Sequence, residues 1–246
     1  MRRGAGPTSR MGAADRLIVA LDYMALGPAL RLARQLKGLV HTLKIGSALF
    51  TACGPAAVRR LRSLGFDIML DLKFFDIPST VKLSCHAAAR QRVSLLTVHA
   101  AGGRAMLEAA VAGARAGAAR AGAARPKVLA VTVLTSDEGR SVASVRAQVL
   151  RLAQAALQAG CDGVVASAQD AAALRRRFGR RLHVVCPGIR PAQASSNHDQ
   201  RRVCTPQEAL AAGADRLVVG RPITGARRPR AAAQRILSAM EGCAAC

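Results

Sequence analysis

Apolar, β-branched runs recur eight times along the chain, at residues 17–22, 40–46, 66–72, 94–99, 128–134, 162–167, 182–187 and 215–220. The segments between them carry helical spacing. Val58, Leu61 and Leu64 mark one, and Val142, Val145, Val149, Leu152 and Ala156 another, each step being three or four residues. Thr205-Pro206-Gln207-Glu208 predicts a helix start, with Thr205 as N-cap, Pro206 at the first helical position and Glu208 able to complete a capping box. Eight β/α alternations within 246 residues predict an α/β protein built as a closed (β/α)8 TIM barrel. An open doubly wound sheet fits less well, because no Gly-x-Gly-x-x-Gly turn follows the first run. Barrels of this size form one domain, so the reading is a tail over residues 1–14, a barrel over 15–240 and a second tail over 241–246. The low-complexity stretch 113–126 reads as a helix end followed by a mobile loop.

In such a barrel the site lies at the C-terminal ends of the strands, and polar residues collect there. The first run ends at Asp22, the second holds Lys44, and the third leads into Asp71, Lys73 and Asp76. In a strand, residues i and i+2 share a face, so Asp71 and Lys73 are expected to point the same way. Pro78 closes the strand and leaves Asp76 in the loop beyond. Later strand ends offer His99, Thr132, Thr135, Ser167, Arg190 after Pro187-Gly188, and Gly220-Arg221. His99 reads as an oriented structural histidine ahead of an acid or base. The last two strand ends are where barrels often hold phosphate, through glycine N–H groups and an arginine fork.

Only five of the 37 basic residues are lysine, at 37, 44, 73, 82 and 127. A chain that uses arginine almost everywhere yet places ammonium groups at 44 and 73 points to chemistry that guanidinium cannot do, since lysine is a compact charge that can give up a proton. Surface ion pairs are the plain alternative for the same residues.

The formal net charge of +23 favours anionic partners. With no Trp, one Tyr and five Phe, the chain lacks stacking platforms for bases, and no zinc-finger, RNA-recognition or basic-zipper pattern is present. The excess charge reads as composition bias that also steers a phosphorylated substrate, with neither nucleic acid nor membrane as partner. No apolar run reaches membrane-spanning length and residues 1–14 lack a secretory core, so the expectation is a cytoplasmic protein. Cys53, Cys85, Cys161, Cys186 and Cys204 lie singly and read as reduced, while Cys243 and Cys246 lack a second pair for a metal.

The blocks Ala20-Leu21-Asp22, Leu43-Lys44-Ile45-Gly46, Leu70-Asp71-Leu72-Lys73-Phe74-Phe75-Asp76-Ile77-Pro78, Val98-His99-Ala100-Ala101-Gly102-Gly103, Pro187-Gly188-Ile189-Arg190 and Val218-Val219-Gly220-Arg221 resemble the orotidine 5′-phosphate decarboxylase family. So do the stretches 130–136 and 199–203, and the resemblance runs in order from Asp15 to near residue 240. It implies a carboxy-lyase that converts orotidine 5′-phosphate to UMP and CO2, the last step of de novo pyrimidine synthesis. It also implies a homodimer that uses no metal and no organic cofactor.

Carried over by position, Lys73 resembles the proton donor to C6 of the pyrimidine, and Asp71 the carboxylate set against the departing group. The resemblance implies a Lys44–Asp71–Lys73–Asp76 charge array in which Asp76 comes from the neighbouring subunit, with Thr80 on the same dimer-spanning loop and Ile77 and Pro78 on its substrate-contacting segment. Asp22 and Lys44 match ribose-contacting positions and Thr135 a pyrimidine-contacting one. Arg190, Gln200, Gly220 and Arg221 match the phosphate and closing-loop positions. Phe75 and Ser79 depart from the pattern, where the family often has His and Asn. Two rival readings stay open: a metal-dependent sugar-phosphate decarboxylase or aldolase of the same barrel group, and a basic RNA-binding barrel without catalysis.

Overall fold

A computed structural model describes residues 11–133, 141–191 and 204–241. Eight parallel strands close into a barrel in chain order, β1 (Leu17–Ala20), β2 (Thr42–Gly46), β3 (Asp67–Phe74), β4 (Leu95–His99), β5 (Lys127–Val131), β6 (Gly163–Val165), β7 (His183–Cys186) and β8 (Arg216–Val219). Closure is direct, with Leu17 opposite Leu217 and Val19 opposite Val219. Around the sheet run α1 (Ala13–Arg16), α2 (Leu26–Leu36), α3 (Ser47–Cys53), α4 (Pro55–Ser63), α5 (Pro78–Arg90) and α6 (Gly103–Arg120). The ring is completed by α7 (Val142–Gln158), α8 (Ala168–Phe178), α9 (Pro206–Ala211), α10 (Arg221–Thr224) and α11 (Pro229–Glu241). No helix among the described residues is long and apolar enough to cross a membrane.

The apolar runs follow from burial on both faces of the sheet. Ile18, Ala20, Met69, Leu95, Leu129, Val131, Val165, Val185 and Val218 fill the barrel interior. Their neighbours of opposite parity, such as Leu17, Val19, Leu43, Ile45, Leu96 and Val98, form the larger core beneath the helices. The Thr205 hydroxyl and Glu208 side chain make the reciprocal capping box that their spacing predicts. Cys85, Cys161 and Cys186 are buried free thiols whose pKa burial pushes up to about 12, so at neutral pH they behave as small apolar groups. Cys243 and Cys246 lie outside the described residues.

The structure refines the sequence expectation at three points. The low-complexity stretch is helix as far as Arg120, because Gly113 lets α6 close on α5; a Cβ there would meet the Lys82 carbonyl oxygen at 2.1 Å. The short connection after it is pinned rather than loose, Arg92 donating to the Ala121 carbonyl and Arg125 pairing with Asp162. The chain joins the barrel ahead of Asp15, since α1 begins at Ala13 and Arg16 donates to the Ala214 and Asp215 carbonyls.

The strands' N-terminal ends carry a second set of charges, on the face opposite the expected site. Asp215 accepts from Arg175 and from the Val184 N–H, and Lys127 Nζ meets His183 Nε2. Burial alone would raise the pKa of Asp215, but its hydrogen bonds to His183, Val184 and Arg175 outweigh that and hold it far below the usual carboxylate range.

Candidate active site

At the C-terminal ends of β1 to β3 the charges alternate. Asp22 follows β1 and takes a 2.9 Å contact from Lys44 Nζ, which reaches on to Asp71 Oδ2 at 3.4 Å; Lys73 Nζ then lies 3.0 Å from the same oxygen. Lys44 and Asp71 are 9% and 8% exposed, which confines two opposite charges to one poorly solvated wall. Gly46 makes room for the first pair, because a Cβ there would stand 3.0 Å from Lys44 Nζ and 3.2 Å from Asp22 Oδ1.

Asp71 and Lys73 do face the same way, but not through plain alternation. The β3–β4 register runs Met69 to Leu95 and Leu70 to Leu96, then resumes only at Phe74 with Val98, so β3 bulges across the charged residues. Lys73 sits in this bulge at φ +48°, a left-handed conformation uncommon for a residue with a side chain. Its N–H leaves the ladder and donates to Thr97 Oγ1 at 2.9 Å, and that hydroxyl donates in turn to Asp71 Oδ1 at 2.9 Å.

Sequence reasoning missed Thr97. The signal was there: flanked by Leu96 and Val98, it shares parity with the inward-facing Leu95. Burial would by itself raise the pKa of Asp71. The Lys44 and Lys73 ammoniums and the hydrogen bonds from Lys73 and Thr97 outweigh it, so the carboxyl stays below its ordinary value.

These groups line one side of a cavity of about 560 Å³. Val131, Val165 and Val218 line it from the barrel interior, and Gly188, Arg190, Gly220 and Arg221 line it from the ends of β7 and β8. Beyond β7, Ile189 bridges to Cys204 and the Arg190 N–H donates to the Cys204 carbonyl, fixing the backbone that carries Arg190.

Of the residues expected at the site, Asp22, Lys44, Asp71, Lys73, Arg190, Gly220 and Arg221 line the cavity together. Asp76, Ile77, Pro78 and Thr80 do not; they stand exposed on the outer lip, with Asp76 Oδ1 accepting from the Ile77 N–H. Thr132 and Ser167 are occupied structurally, the first donating to the Val165 carbonyl and the second capping α8. His99 packs against Phe75 at 5.5 Å between ring centroids, and burial followed by the nearby Lys73 charge lowers its pKa, which keeps it neutral. Thr135 and Gln200 fall outside the described residues. Among the described residues no three His, Cys, Asp or Glu side chains gather as a metal-binding group.

Comparison with known proteins gives this constellation its family. A profile of the orotidine 5′-phosphate decarboxylase / HUMPS family matches residues 15–236. The chain belongs to that family. It is 50% identical over 227 residues to orotidine 5′-phosphate decarboxylase of Halorhodospira halophila, covering 90% of this chain and 94% of the relative. With the enzyme of the same name from Moorella thermoacetica it shares 46% identity over 239 residues, 94% of each chain. The crystal structure of orotidine 5′-phosphate decarboxylase from Lactobacillus acidophilus superposes with a TM-score of 0.80 at 36% identity, over 92% of this chain and 99% of that one. The alternating charges at β1 to β3 therefore lie on a family barrel matched over nearly its whole length.

Proposed function

We propose that the protein decarboxylates orotidine 5′-phosphate to UMP and CO2, the step that completes pyrimidine nucleotide synthesis, and that the cavity over β1 to β3 is where this happens. The observation that carries the reading is the Asp22–Lys44–Asp71–Lys73 series lining one cavity with Arg190, Gly220 and Arg221 in a member of this family.

Loss of CO2 from C6 of the pyrimidine leaves a carbanion-like centre with no adjacent ketone or imine to accept the electrons. Fixed positive charge close to C6 must stabilise it, and a proton must then arrive at the same atom. Lys73 meets both needs, being cationic beside Asp71 and partly open to the cavity, with its side chain 36% exposed. In this reading Asp71, held ionised, lies against the substrate carboxylate, and their repulsion is relieved as CO2 departs. Asp22 and Lys44 hold the ribose hydroxyls, the exposed carboxylate accepting and the ammonium donating. Arg190, the Gly220 backbone and Arg221 take the phosphate, far from the bond that breaks, where binding energy can be used for closure of the site. Thr135 and Gln200 are assigned to the pyrimidine and the phosphate on the family resemblance alone.

The active unit in this reading is a homodimer. Phe75 and Ile77 expose 60% and 63% of their surface on the lip beside Asp76, which a second copy would cover. That copy brings Asp76 and Thr80 to its partner's cavity, completing the array around Lys73.

The test is loss of the orotate-ring absorbance when purified protein meets orotidine 5′-phosphate in EDTA. Turnover is expected to survive the chelator, because each acid at the site already pairs with a lysine that repels a divalent ion. Activity that vanishes in EDTA and returns with Mg2+ would move the protein to the metal-dependent sugar-phosphate reading.

A further inference from the structure

We propose, on the decarboxylase reading above, that Thr97 is a positioning residue that holds Asp71 and Lys73 in their working geometry through a single hydroxyl. Thr97 is fully buried in β4 and does not line the cavity, so it acts through its two partners. Asp71 Oδ2 takes both ammonium contacts, from Lys73 at 3.0 Å and Lys44 at 3.4 Å. Thr97 is the donor to the other oxygen, Oδ1, at 2.9 Å. With each oxygen held from a different side, the carboxylate plane cannot turn.

The same hydroxyl accepts the Lys73 N–H at 2.9 Å. That amide has lost its place in the β3–β4 ladder, where the register breaks between Leu70 and Phe74, and a buried N–H without an acceptor is costly. The left-handed backbone at Lys73, φ +48°, persists only if its surroundings hold it there. Thr97 replaces the missing ladder bond, and the bulge it stabilises turns Lys73 back towards Asp71. One proton and one lone pair thus couple the orientation of the carboxylate to the backbone that carries the proton donor.

Thr97→Val keeps the shape and removes both hydrogen bonds, while Thr97→Ser keeps the hydroxyl. The full chain and both variants are assayed for kcat and KM with orotidine 5′-phosphate, for UMP affinity by calorimetry and for thermal midpoint. Thr97→Val is expected to lower kcat by about tenfold to a hundredfold, the scale of one charge-assisted hydrogen bond. UMP affinity is expected to hold, since the phosphate and ribose contacts are untouched, and Thr97→Ser should recover most of the lost kcat.

Wild-type kcat in Thr97→Val overturns the inference. So does an equal fall in Thr97→Ser, which would make the β-methyl rather than the hydroxyl responsible, or a parallel loss of kcat and UMP affinity. Should Thr97→Val not fold, Thr97→Ala against Thr97→Ser, which differ by the oxygen alone, carries the same comparison. A wild-type protein without turnover refutes the decarboxylase reading instead, so the two failures are told apart.

Discussion

Lys73 Nζ stands 3.0 Å from Asp71 Oδ2 across a bulge, on a strand whose ladder has parted from β4 at both residues. Regular pleating would set a side chain two positions on at a fixed spacing along the strand. The bulge instead lets the backbone at Lys73 turn, so that the ammonium folds back over the carboxylate while staying open to the cavity. A proton donor needs that pairing of a charged partner with access to substrate.

Lys73→Arg is expected to reduce turnover by more than about a hundredfold, the usual worth of a general acid, while UMP still binds. Guanidinium keeps the charge but does not release a proton at working pH, and its planar fork is wider than the ammonium it replaces. Steady-state decarboxylation and UMP calorimetry check this; a variant that keeps several per cent of wild-type turnover excludes Lys73 as the essential acid.

Arg221→Ala is expected to weaken UMP by about tenfold to a hundredfold, as for loss of a charge-assisted contact, and to lower kcat as well. Arg221 opens α10 directly after Gly220 on the cavity wall, at the end of the strand that pairs with β1. A phosphate contact kept through the reaction contributes to the transition state as well as the ground state. Unchanged affinity for both substrate and UMP would remove β8 from the phosphate site.

Asp215 should make the face remote from the cavity contribute to acid sensitivity, alongside Asp71 within it. Its folded-state pKa is depressed below the unfolded value, so the stability it contributes is present above that unfolded pKa and is lost as pH falls through it towards the folded one. Asp215→Asn is expected to cost about 3 kcal/mol at pH 7, because Arg175 is left without its carboxylate. The variant should also lose less stability than wild type between pH 7 and pH 3, by about 1 kcal/mol. Urea unfolding at the two pH values measures both; an equal acid slope in the two proteins would show that Asp215 does not set it.

The barrel was legible in the chain because burying a parallel sheet on both faces forces each strand to be apolar, and eight such runs leave few other folds. The positions of Asp22, Lys44, Asp71, Lys73, Arg190 and Arg221 followed, since a strand end fixes where a charge must lie. The bulge at Lys73 was not legible, for it depends on a mismatch between two strands that neither sequence segment encodes alone. The inward direction of Thr97 could be read from strand parity, but its role could not: its partners are 24 and 26 residues away, and only the pairing of β3 with β4 brings them together. Hydroxyls at Thr132 and Ser167 looked available at strand ends, yet backbone groups claim them, the Val165 carbonyl of the neighbouring strand taking the first and the local Gln169 N–H the second.

Asp76 offers the sharpest test, because its own chain leaves it exposed on the lip and apart from the Lys44–Asp71–Lys73 cluster. If the active unit is a two-fold dimer, each cavity draws Asp71 and Lys73 from one chain and Asp76 from the other. Lys73→Ala and Asp76→Ala homodimers should then each be almost inactive, the first for want of a proton donor and the second for want of the second carboxylate. A mixed dimer rebuilds one complete cavity, in which Lys73 of the Asp76→Ala chain meets Asp76 of the Lys73→Ala chain. Random re-pairing of equal amounts makes about half the dimers mixed, and each has one intact cavity and one doubly altered, so roughly a quarter of all sites return. Denaturing, mixing and refolding the two variants should therefore restore about a quarter of wild-type activity per subunit. If native mass spectrometry confirms the heterodimer and no activity returns, Asp76 does not serve its partner's cavity and the shared-site arrangement is wrong.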